Sequence, residues 1–422
     1  MSICGEGESA QYVLAKVQGS ALAHHGHSPL KIFDVTRKQD RFLYALAPMV
    51  RYGKLAFRQT VHKYGVDLCW TPMMLAKEFN RNSFARDSGT SLFPSTPSPN
   101  FTVSTKPDQP ATIVQFGANV PLELARAAAL VAPRANGVDL NCGCPQSWAC
   151  AEKLGAALMG HRELVRDMVV ETRQRLKQDG WHVGLERDIE SPKGRSVSVK
   201  IRIHDDLRKT MDFLDTVIGD PQNRLVDWVT IHPRTKSTPS TTPIRTEALE
   251  ILTAKYAGTL PILLSGDIFD INSLPLQPTI TTNNDAPHAS LATLTLNSSP
   301  DTVSTAYSKP APSPSNTNLS GFMSARGLLA NPALFAGYSA CPWEAVETFM
   351  CNVARCPLPF KLTLHHLQEM CGPGMSTDKS SLLTKKERAE MTGLANMCEL
   401  IDYLDDMLDE KTGRVGGLRR DL

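Results

Sequence analysis

The sequence predicts an α/β protein that folds as a (β/α)8 barrel, the TIM-barrel fold, and three features lead to this prediction. Eight short apolar runs alternate with amphipathic stretches along most of the chain. Polar residues such as Cys144, His232 and Arg326 end or follow these runs, as expected where barrel active sites collect. No Gly-x-Gly-x-x-Gly motif follows the first run, which argues against the alternative of a doubly wound nucleotide-binding sheet.

Length and composition restrict the class of protein further. The chain has 422 residues, and a barrel of about 250 residues forms a single domain. No apolar run approaches the roughly 20 residues of a membrane helix, and no secretory signal begins the chain. The ten scattered cysteines are typical of reduced thiols. We expect a cytoplasmic protein without a membrane partner; a nuclear location stays open, and so does mitochondrial import, because the first 40 residues hold few acids.

Eight strands are predicted in order, and they account for the barrel. They cover residues 43–49, 68–74, 111–117, 137–141, 196–203, 228–232, 261–265 and 321–325. Helices are predicted at residues 162–177 and 246–257, with a stop at Gly258, and at 362–370. Residues 385–408 have the periodicity of one long helix. The predicted organisation is a flexible N-terminal tail over residues 1–38, a barrel over 39–335 and a C-terminal helical extension over 336–422.

Two segments interrupt the alternation of strands and helices. Residues 88–110 are rich in Ser, Thr and Pro, and they predict a long loop. Residues 275–318 consist mainly of Thr, Ser, Asn and Pro and carry few charges. Such a composition cannot bury enough apolar surface to fold. We therefore predict a disordered insertion between strands seven and eight.

The fourth predicted strand runs into the sequence Asn141-Cys142-Gly143-Cys144-Pro145. A pair of cysteines in this spacing could bind a metal ion, but a structural zinc site normally needs a second pair of ligands. The later cysteines do not supply such a pair, so no metal site is predicted. A generic cysteine is most often a small buried apolar residue, which is a poor description of Cys144 between Gly and Pro at a strand end.

Three more strand ends carry residues that indicate chemistry. Lys200 lies within an apolar strand, where a cation is costly unless it meets an anion or a ligand. A solitary histidine is more often structural, but His232 ends a strand next to Arg234. Loops after the seventh and eighth barrel strands commonly bind phosphate. Gly266 and Arg326 suit that role, since a glycine lets backbone amides come close and arginine adds a charged donor.

The run from Asn141 to Pro145 resembles the Asn-x-Gly-Cys-Pro signature of the tRNA-dihydrouridine synthases. Its continuation through Gln146, Trp148, Ala149 and Gly155-Ala156 resembles the branch that reduces the D-loop uridines 20a and 20b. The resemblance implies an FMN-dependent reductase of the C5–C6 bond of uridines in tRNA, with NADPH or NADH as electron source. It also implies that Cys144 is the general acid. A thiol, with an ordinary pKa of about 8.5, can supply the proton to C5 while a hydride reaches C6.

The same resemblance implies which residues hold the cofactor, and Lys200 would stabilise the reduced anionic ring. The implied FMN-binding residues are Pro48, Met49, Val50, Gln115, Asn141, Lys200, His232, Ser265, Gly266, Asp267, Ala325 and Arg326. One of them departs from the family pattern, because Ser265 stands where most members have asparagine. The barrel domain at 39–335 is accordingly expected to be the FMN-binding unit.

The net charge of only +2 does not by itself indicate a polyanionic partner. Any surface that binds tRNA must therefore be a local patch of positive charge. The candidate tRNA contacts are Lys77, Arg81, Arg202 and Arg234. No obligate protein partner is evident. Two alternatives stay open at this point: another FMN-dependent barrel oxidoreductase, or a non-catalytic tRNA-binding protein on the same fold.

Overall fold

The computed structural model describes residues 28–81, 110–184, 189–276 and 317–414. Nine parallel strands make up its sheet: β1 (Leu43–Leu46), β2 (Leu68–Trp70), β3 (Met74–Leu75), β4 (Ala111–Gly117), β5 (Gly137–Cys142), β6 (Ser196–Arg202), β7 (Val229–His232), β8 (Ile262–Ser265) and β9 (Gly321–Ser324). The sheet closes because β9 pairs with β1 and β2 pairs with β4. The predicted eight-stranded barrel is thereby confirmed, and β3 is a two-residue addition beside β4.

The second predicted strand, at residues 68–74, proves to be two separate pieces. β2 ends at Trp70, and β3 begins only at Met74. Thr71 still donates its backbone N–H to the Ile113 carbonyl at 2.9 Å. Pro72 has no N–H to donate and therefore stops the ladder. The interruption was visible in the sequence, because Thr71 and Pro72 divide the two apolar parts of the run.

Thirteen helices of the described chain surround or extend the barrel. They are α1 (Pro29–Lys38), α2 (Leu55–Lys63), α3 (Ala76–Arg81), α4 (Pro121–Val131), α5 (Ser147–Ala151), α6 (Arg162–Gln178), α7 (Leu207–Ile218), α8 (Thr246–Lys255), α9 (Arg326–Ala330), α10 (Trp343–Arg355), α11 (Phe360–Met370), α12 (Lys385–Thr392) and α13 (Met397–Thr412). Short 3-10 turns lie at Gly155–Gly160, Pro221–Asn223, Ile271–Ser273 and Leu334–Ala336. Within the described ranges, none of the helices has the length and apolar character to cross a bilayer.

The first of these helices corrects the predicted tail, because residues 29–38 are ordered as α1. Ser28 caps the helix by accepting a hydrogen bond from the N–H of Leu30, and Pro29 occupies the first turn, where proline is tolerated. Phe33 is buried, and its ring centroid lies 5.3 Å from that of Trp228 inside the barrel. The helix belongs to the same apolar cluster as Leu43 at the start of β1. It therefore closes the N-terminal end of the barrel.

The ten residues of α1 were too few for their helical pattern to stand out in the sequence. The earlier part of the tail, residues 1–27, lies outside the described residues.

We expect the substitution Phe33→Ala to destabilise the barrel by about 3 kcal/mol, the lower end for removal of a buried phenylalanine ring. The cause is the cavity left against Trp228, at the end of the barrel away from the active site. The measurement is the thermal unfolding midpoint, followed by circular dichroism. Arg37→Ala is the matched control, because Arg37 lies on the same helix with its side chain 79% exposed. Equal midpoints for the two variants would contradict the closing role of α1.

The C-terminal helices pack against one side of the barrel. Asn352 of α10 donates from its Nδ2 to the Oγ1 of Thr60 in α2, at 3.0 Å. The rings of Phe57 and Phe349 lie edge to face with centroids 6.4 Å apart, and His366 of α11 packs on both. These buried contacts make the helical extension continuous with the core of the barrel.

The single long helix predicted at residues 385–408 is instead two helices. α12 ends before Gly393, and α13 begins after Asn396, whose Oδ1 accepts the N–H of Glu399 at 3.0 Å. Glycine and asparagine at these positions are ordinary stop and start signals. The apolar periodicity on either side concealed the break. The segments predicted as a loop (88–110) and an insertion (275–318) lie almost wholly outside the described residues.

Candidate active site

A buried network of amides and one carboxylate lies inside the barrel below its C-terminal mouth. Asn141 on β5 donates from Nδ2 to the Oε1 of Gln115 on β4, at 2.9 Å. Gln115 in turn donates from Nε2 to Asp139 Oδ2 at 2.7 Å. The Ser198 hydroxyl donates to Asp139 Oδ1 at 2.6 Å. The network fixes the orientation of both amides, because each amide oxygen and nitrogen has a defined partner.

Asp139 belongs to the candidate site, and the sequence reasoning missed it. Its side chain is fully buried, and this burial raises the pKa of the carboxyl group to about 6, although the bonds from Gln115 and Ser198 oppose the shift. The signal was present in the sequence. Asp139 stands two residues before Asn141 in an apolar strand, so both side chains face the same side of the sheet. Burial of its charge is costly there, as it is for Lys200.

The backbone around Cys144 is held from three directions. Asn141 Oδ1 accepts the N–H of Cys144 at 2.8 Å and that of Gly143 at 3.0 Å. Arg202 donates from Nε to the Gly143 carbonyl at 2.9 Å. The N–H of Ala156 donates to the Cys144 carbonyl at 2.9 Å. The cysteine backbone is therefore fixed, while the residue itself stays partly exposed at the mouth.

The close approach of the Cys144 carbonyl to the following turn requires a glycine at position 155. Gly155 has a φ of +59°, and a Cβ built on it would lie 2.6 Å from that carbonyl oxygen. A side chain at this position would push the cysteine loop away. The Gly155-Ala156 pair in the sequence thus has a local structural purpose.

Lys200 on β6 lies towards the same end of the barrel. It lies in register with Asn141 on one neighbouring strand and Thr230 on the other. Within the described part of the chain no hydrogen bond or ion pair engages its Nζ. Burial lowers the pKa of Lys200 to about 8, and the carboxyl of Asp139 only partly offsets the shift. A partly buried cation that makes no ion pair is suited to an anionic ligand.

His232 at the end of β7 is held in one neutral form. Arg234 donates from Nη1 to His232 Nε2 at 3.0 Å and from Nη2 to both Asp267 carboxylate oxygens at 2.7 Å. Burial and the nearby cations, Lys200 first among them, lower the pKa of His232 to about 2. Since arginine can only donate, Nε2 must be the acceptor, and the proton of the ring is assigned to Nδ1.

Arg234 and Asp267 have a different role in the structure from the ones that were predicted for them. Arg234, predicted to bind tRNA, is 2% exposed, and it also donates from Nε to the Thr242 carbonyl at 2.6 Å. Its donors are engaged inside the protein, so we no longer expect it to meet a phosphate. Asp267, predicted to bind the cofactor, accepts from Arg234 and from the N–H of Ile244 at 3.0 Å. Both residues instead support His232. Their partnership could not be read from a separation of 33 residues.

Arg202, also predicted as a tRNA contact, is mainly engaged within the chain. Besides its bond to Gly143 it donates from Nη1 to the Thr235 carbonyl at 2.6 Å. It thereby joins the loop after β5 to the loop after β7. The structure makes Arg202 a positioning residue for the cysteine loop.

The loops after β8 and β9 lie directly against each other. Ser324 donates from its hydroxyl to the Ile268 carbonyl at 2.8 Å. Gly266 has a φ of +119° and lies against the His232 ring, where a Cβ would come within 2.8 Å of it. Arg326 is exposed at the start of α9, and Ser265 is buried at the end of β8. The two halves of the predicted phosphate site are therefore adjacent in space.

The remaining predicted site residues lie around the mouth of the barrel, except for Arg81, which lies away from it. Pro48, Met49 and Ala325 are partly buried at strand ends, and Val50 is 53% exposed. Lys77 is exposed at the first turn of α3. Arg81, at the end of the same helix, instead lines a groove with residues of α4 and with Arg175 near the end of α6. That groove lies on the outer surface of the barrel. No group of three or more potential metal ligands is found among the described residues.

The unpaired lysine, the neutral imidazole and the thiol all sit at the carboxyl ends of barrel strands, where a bound ligand would explain why each is tolerated. This arrangement is that of a (β/α)8-barrel enzyme with a candidate site that suits an anionic ligand. The family model described as dihydrouridine synthase matches residues 45–285, more than half of the chain. The chain therefore belongs to the dihydrouridine synthase family.

Similar proteins extend the match over most of the chain. A human protein named tRNA-dihydrouridine(20a/20b) synthase [NAD(P)+]-like is 34% identical over 360 residues, which are 85% of this chain and 89% of the relative. The tRNA-dihydrouridine(20a/20b) synthase [NAD(P)+] of Schizosaccharomyces pombe is 32% identical over 90% of this chain and 91% of its own. The protein of the same name from Saccharomyces cerevisiae is 31% identical, over 91% and 85% respectively.

Proposed function

We propose that this protein is an FMN-dependent tRNA-dihydrouridine synthase that reduces the C5–C6 bond of D-loop uridines, at positions 20a and 20b, with NADPH or NADH as electron source. The observation that carries the proposal is a partly exposed thiol at Cys144, whose backbone is held by Asn141, within electrostatic reach of the partly buried Lys200, which makes no ion pair among the described residues. The names of the relatives support the choice of substrate and reductant.

The residues present fit an FMN molecule. Lys200 offers a cation that makes no ion pair within the described chain, although the Asp139 carboxyl lies close enough to act on it, and FMN brings a ring that becomes anionic on reduction. Gln115 and Asn141 offer amides whose orientation is already fixed. Gly266 and Arg326 suit the phosphate group, since the glycine leaves the backbone accessible and the guanidinium is exposed. When bound, the flavin would supply the hydride that reaches C6 of the uracil.

The protein's own groups would manage the proton and the geometry. Cys144 would donate the thiol proton to C5, on the carbon next to the hydride acceptor. Asn141 and Arg202 would keep the thiol in position, since they hold the peptide groups on either side of Gly143. His232 is neutral and carries its proton on Nδ1, so it would act as a hydrogen-bond donor without adding charge to the site.

The rim of the mouth offers the charges that a tRNA backbone requires. Exposed cations follow five different strands of the barrel: Arg51, Lys77, Lys153, Lys236 and Arg326. Such residues bind phosphates in a salt-dependent manner. A uridine of the D-loop would have to be turned out of its stack to reach Cys144 at the mouth.

The test is reduction of an unmodified tRNA transcript by the purified protein. With FMN and NADPH present, we expect dihydrouridine at position 20a or 20b, located by mass spectrometry of nuclease fragments. Parallel reactions with NADH rank the two reductants. A colourless protein that binds no added FMN and forms no dihydrouridine in any tRNA would overturn the proposal and leave a non-catalytic tRNA-binding protein.

A further inference from the structure

Trp148 is an exposed tryptophan in the short helix that follows the proposed proton donor. It lies four residues after Cys144, on α5, and 44% of it is exposed. The other four tryptophans of the sequence are buried or partly buried: Trp70, Trp181, Trp228 and Trp343. Single exposed apolar side chains are common on protein surfaces, so the case for a ligand rests on where this indole lies, in the segment attached to the cysteine loop.

The segment that carries Trp148 is firmly attached to the cysteine loop. Ala149 is fully buried, and its carbonyl accepts the N–H of Leu154 at 2.8 Å. Asn119, in the loop after β4, donates from Nδ2 to the Glu152 carbonyl at 2.9 Å. Together with the bond between Ala156 and the Cys144 carbonyl, these contacts hold α5 at both ends. The helix that carries the indole is therefore held in a fixed position relative to the cysteine loop.

The polar edge of the indole already has a partner. Its Nε1 donates to Gln146 Oε1 at 2.5 Å. What remains for a ligand is the flat apolar surface of the ring. Proteins that bind unpaired RNA use such aromatic surfaces to stack the bases.

We propose that Trp148 stacks on a nucleobase adjacent to the uridine that is reduced. This inference rests on the proposed function. When the uridine is turned out of its stack, its neighbour loses a stacking partner, and an indole on a helix held in a fixed position relative to the cysteine loop can replace it. Trp148 thereby contributes to the choice of the nucleotide presented to the thiol. The exposed Lys153 at the end of the same segment adds a cation for the adjoining phosphate.

The first experiment measures steady-state kinetics on tRNA with the holoenzyme. Since a stacked base contributes the equivalent of about 5-fold to 100-fold in binding, Trp148→Ala should raise KM for tRNA by that factor. Trp148→Phe should retain most of the affinity, whereas Trp148→Leu, which is apolar but lacks a π surface, should not. Flavin reduction by NADPH should stay at the wild-type rate in all three. The control is Ile251→Ala, which removes a 50% exposed apolar residue on outer helix α8.

The second experiment identifies the base by a double-mutant cycle. Transcripts carry an abasic nucleotide on the 5′ or the 3′ side of the target uridine. The transcript that lacks the stacked base should raise the wild-type KM by the same factor as Trp148→Ala, and the two changes together should add nothing further. A full Trp148→Ala effect on both abasic transcripts would overturn the proposal, as would an unchanged KM for Trp148→Ala on intact tRNA. Wild-type activity is measured alongside, so failure of the proposed function itself would be seen as no dihydrouridine in any reaction.

Discussion

Replacement of Cys144 by alanine is expected to lower the rate of dihydrouridine formation by about 10²-fold to 10⁴-fold, the usual contribution of a general acid. The barrel should stay folded and keep its flavin, because the contacts that hold this loop are made by the backbone of Cys144 and by Asn141. The measurement is a single-turnover reaction in which pre-reduced enzyme is mixed with unmodified tRNA and flavin oxidation is followed by absorbance.

The neighbouring cysteine supplies a control for the Cys144 prediction. Cys142 lies on the same strand, fully buried in the core, and burial raises the pKa of its thiol well above the usual value. Cys142→Ala should cost some stability and leave turnover largely intact. The assignment would be wrong if Cys144→Ala turned over at the wild-type rate. It would also be wrong if Cys142→Ala, still folded, were the inactive variant of the pair.

Lys200→Met is expected to weaken FMN binding by about 10-fold to 100-fold, because it removes a charge-assisted hydrogen bond of a buried cation. Methionine has a similar length and no charge, so the barrel should not collapse around it. FMN affinity is measured by fluorescence titration of the apoprotein. Lys193→Met is the control, since Lys193 is exposed before β6, at the opposite end of the barrel.

The pH dependence of FMN binding gives a second readout for Lys200. Burial lowers the pKa of this lysine to about 8 in the unliganded protein. The charged form, which attracts an anion, therefore prevails below pH 8, and it is lost as the pH rises through that value. Wild-type affinity should fall above pH 8, whereas the affinity of Lys200→Met should not follow this profile. Parallel profiles for the two proteins would show that another group holds the anion.

A few candidate residues could be chosen from the sequence because they stand at recognisable places, and the resemblance to the dihydrouridine synthases implied the others. A lysine inside an apolar strand is costly wherever that strand is placed, so Lys200 pointed to a ligand before any neighbour was known. Cys144 was likewise singled out by its immediate neighbours, because it stands between glycine and proline at a strand end. The strands themselves followed from short apolar runs, and most of their bounds differ from the prediction by only one or two residues at an end.

The pairing of charges depended on the tertiary structure. Arg234 and Asp267 are 33 residues apart, and only the pairing of β7 with β8 brings them together, so that they satisfy each other and hold His232. The pairing of β5 with β4 and β6 likewise joins Asp139 to Gln115 and Ser198. A sequence states that a charge must be compensated, but it does not state by which residue.

The sequence by itself therefore determined the fold class and the positions of the thiol and the lysine. The fold class follows from the apolar periodicity that sets the strands. The lysine stands out because an uncompensated charge in a strand needs a ligand or a partner, and the thiol stands out by its place between glycine and proline at a strand end. The tertiary structure decided which charges are occupied internally and which remain for a ligand. It also decided that residues 29–38 close the barrel rather than trail from it. The physical reason is that burial and pairing are properties of contacts between distant segments, which exist only after the barrel has closed.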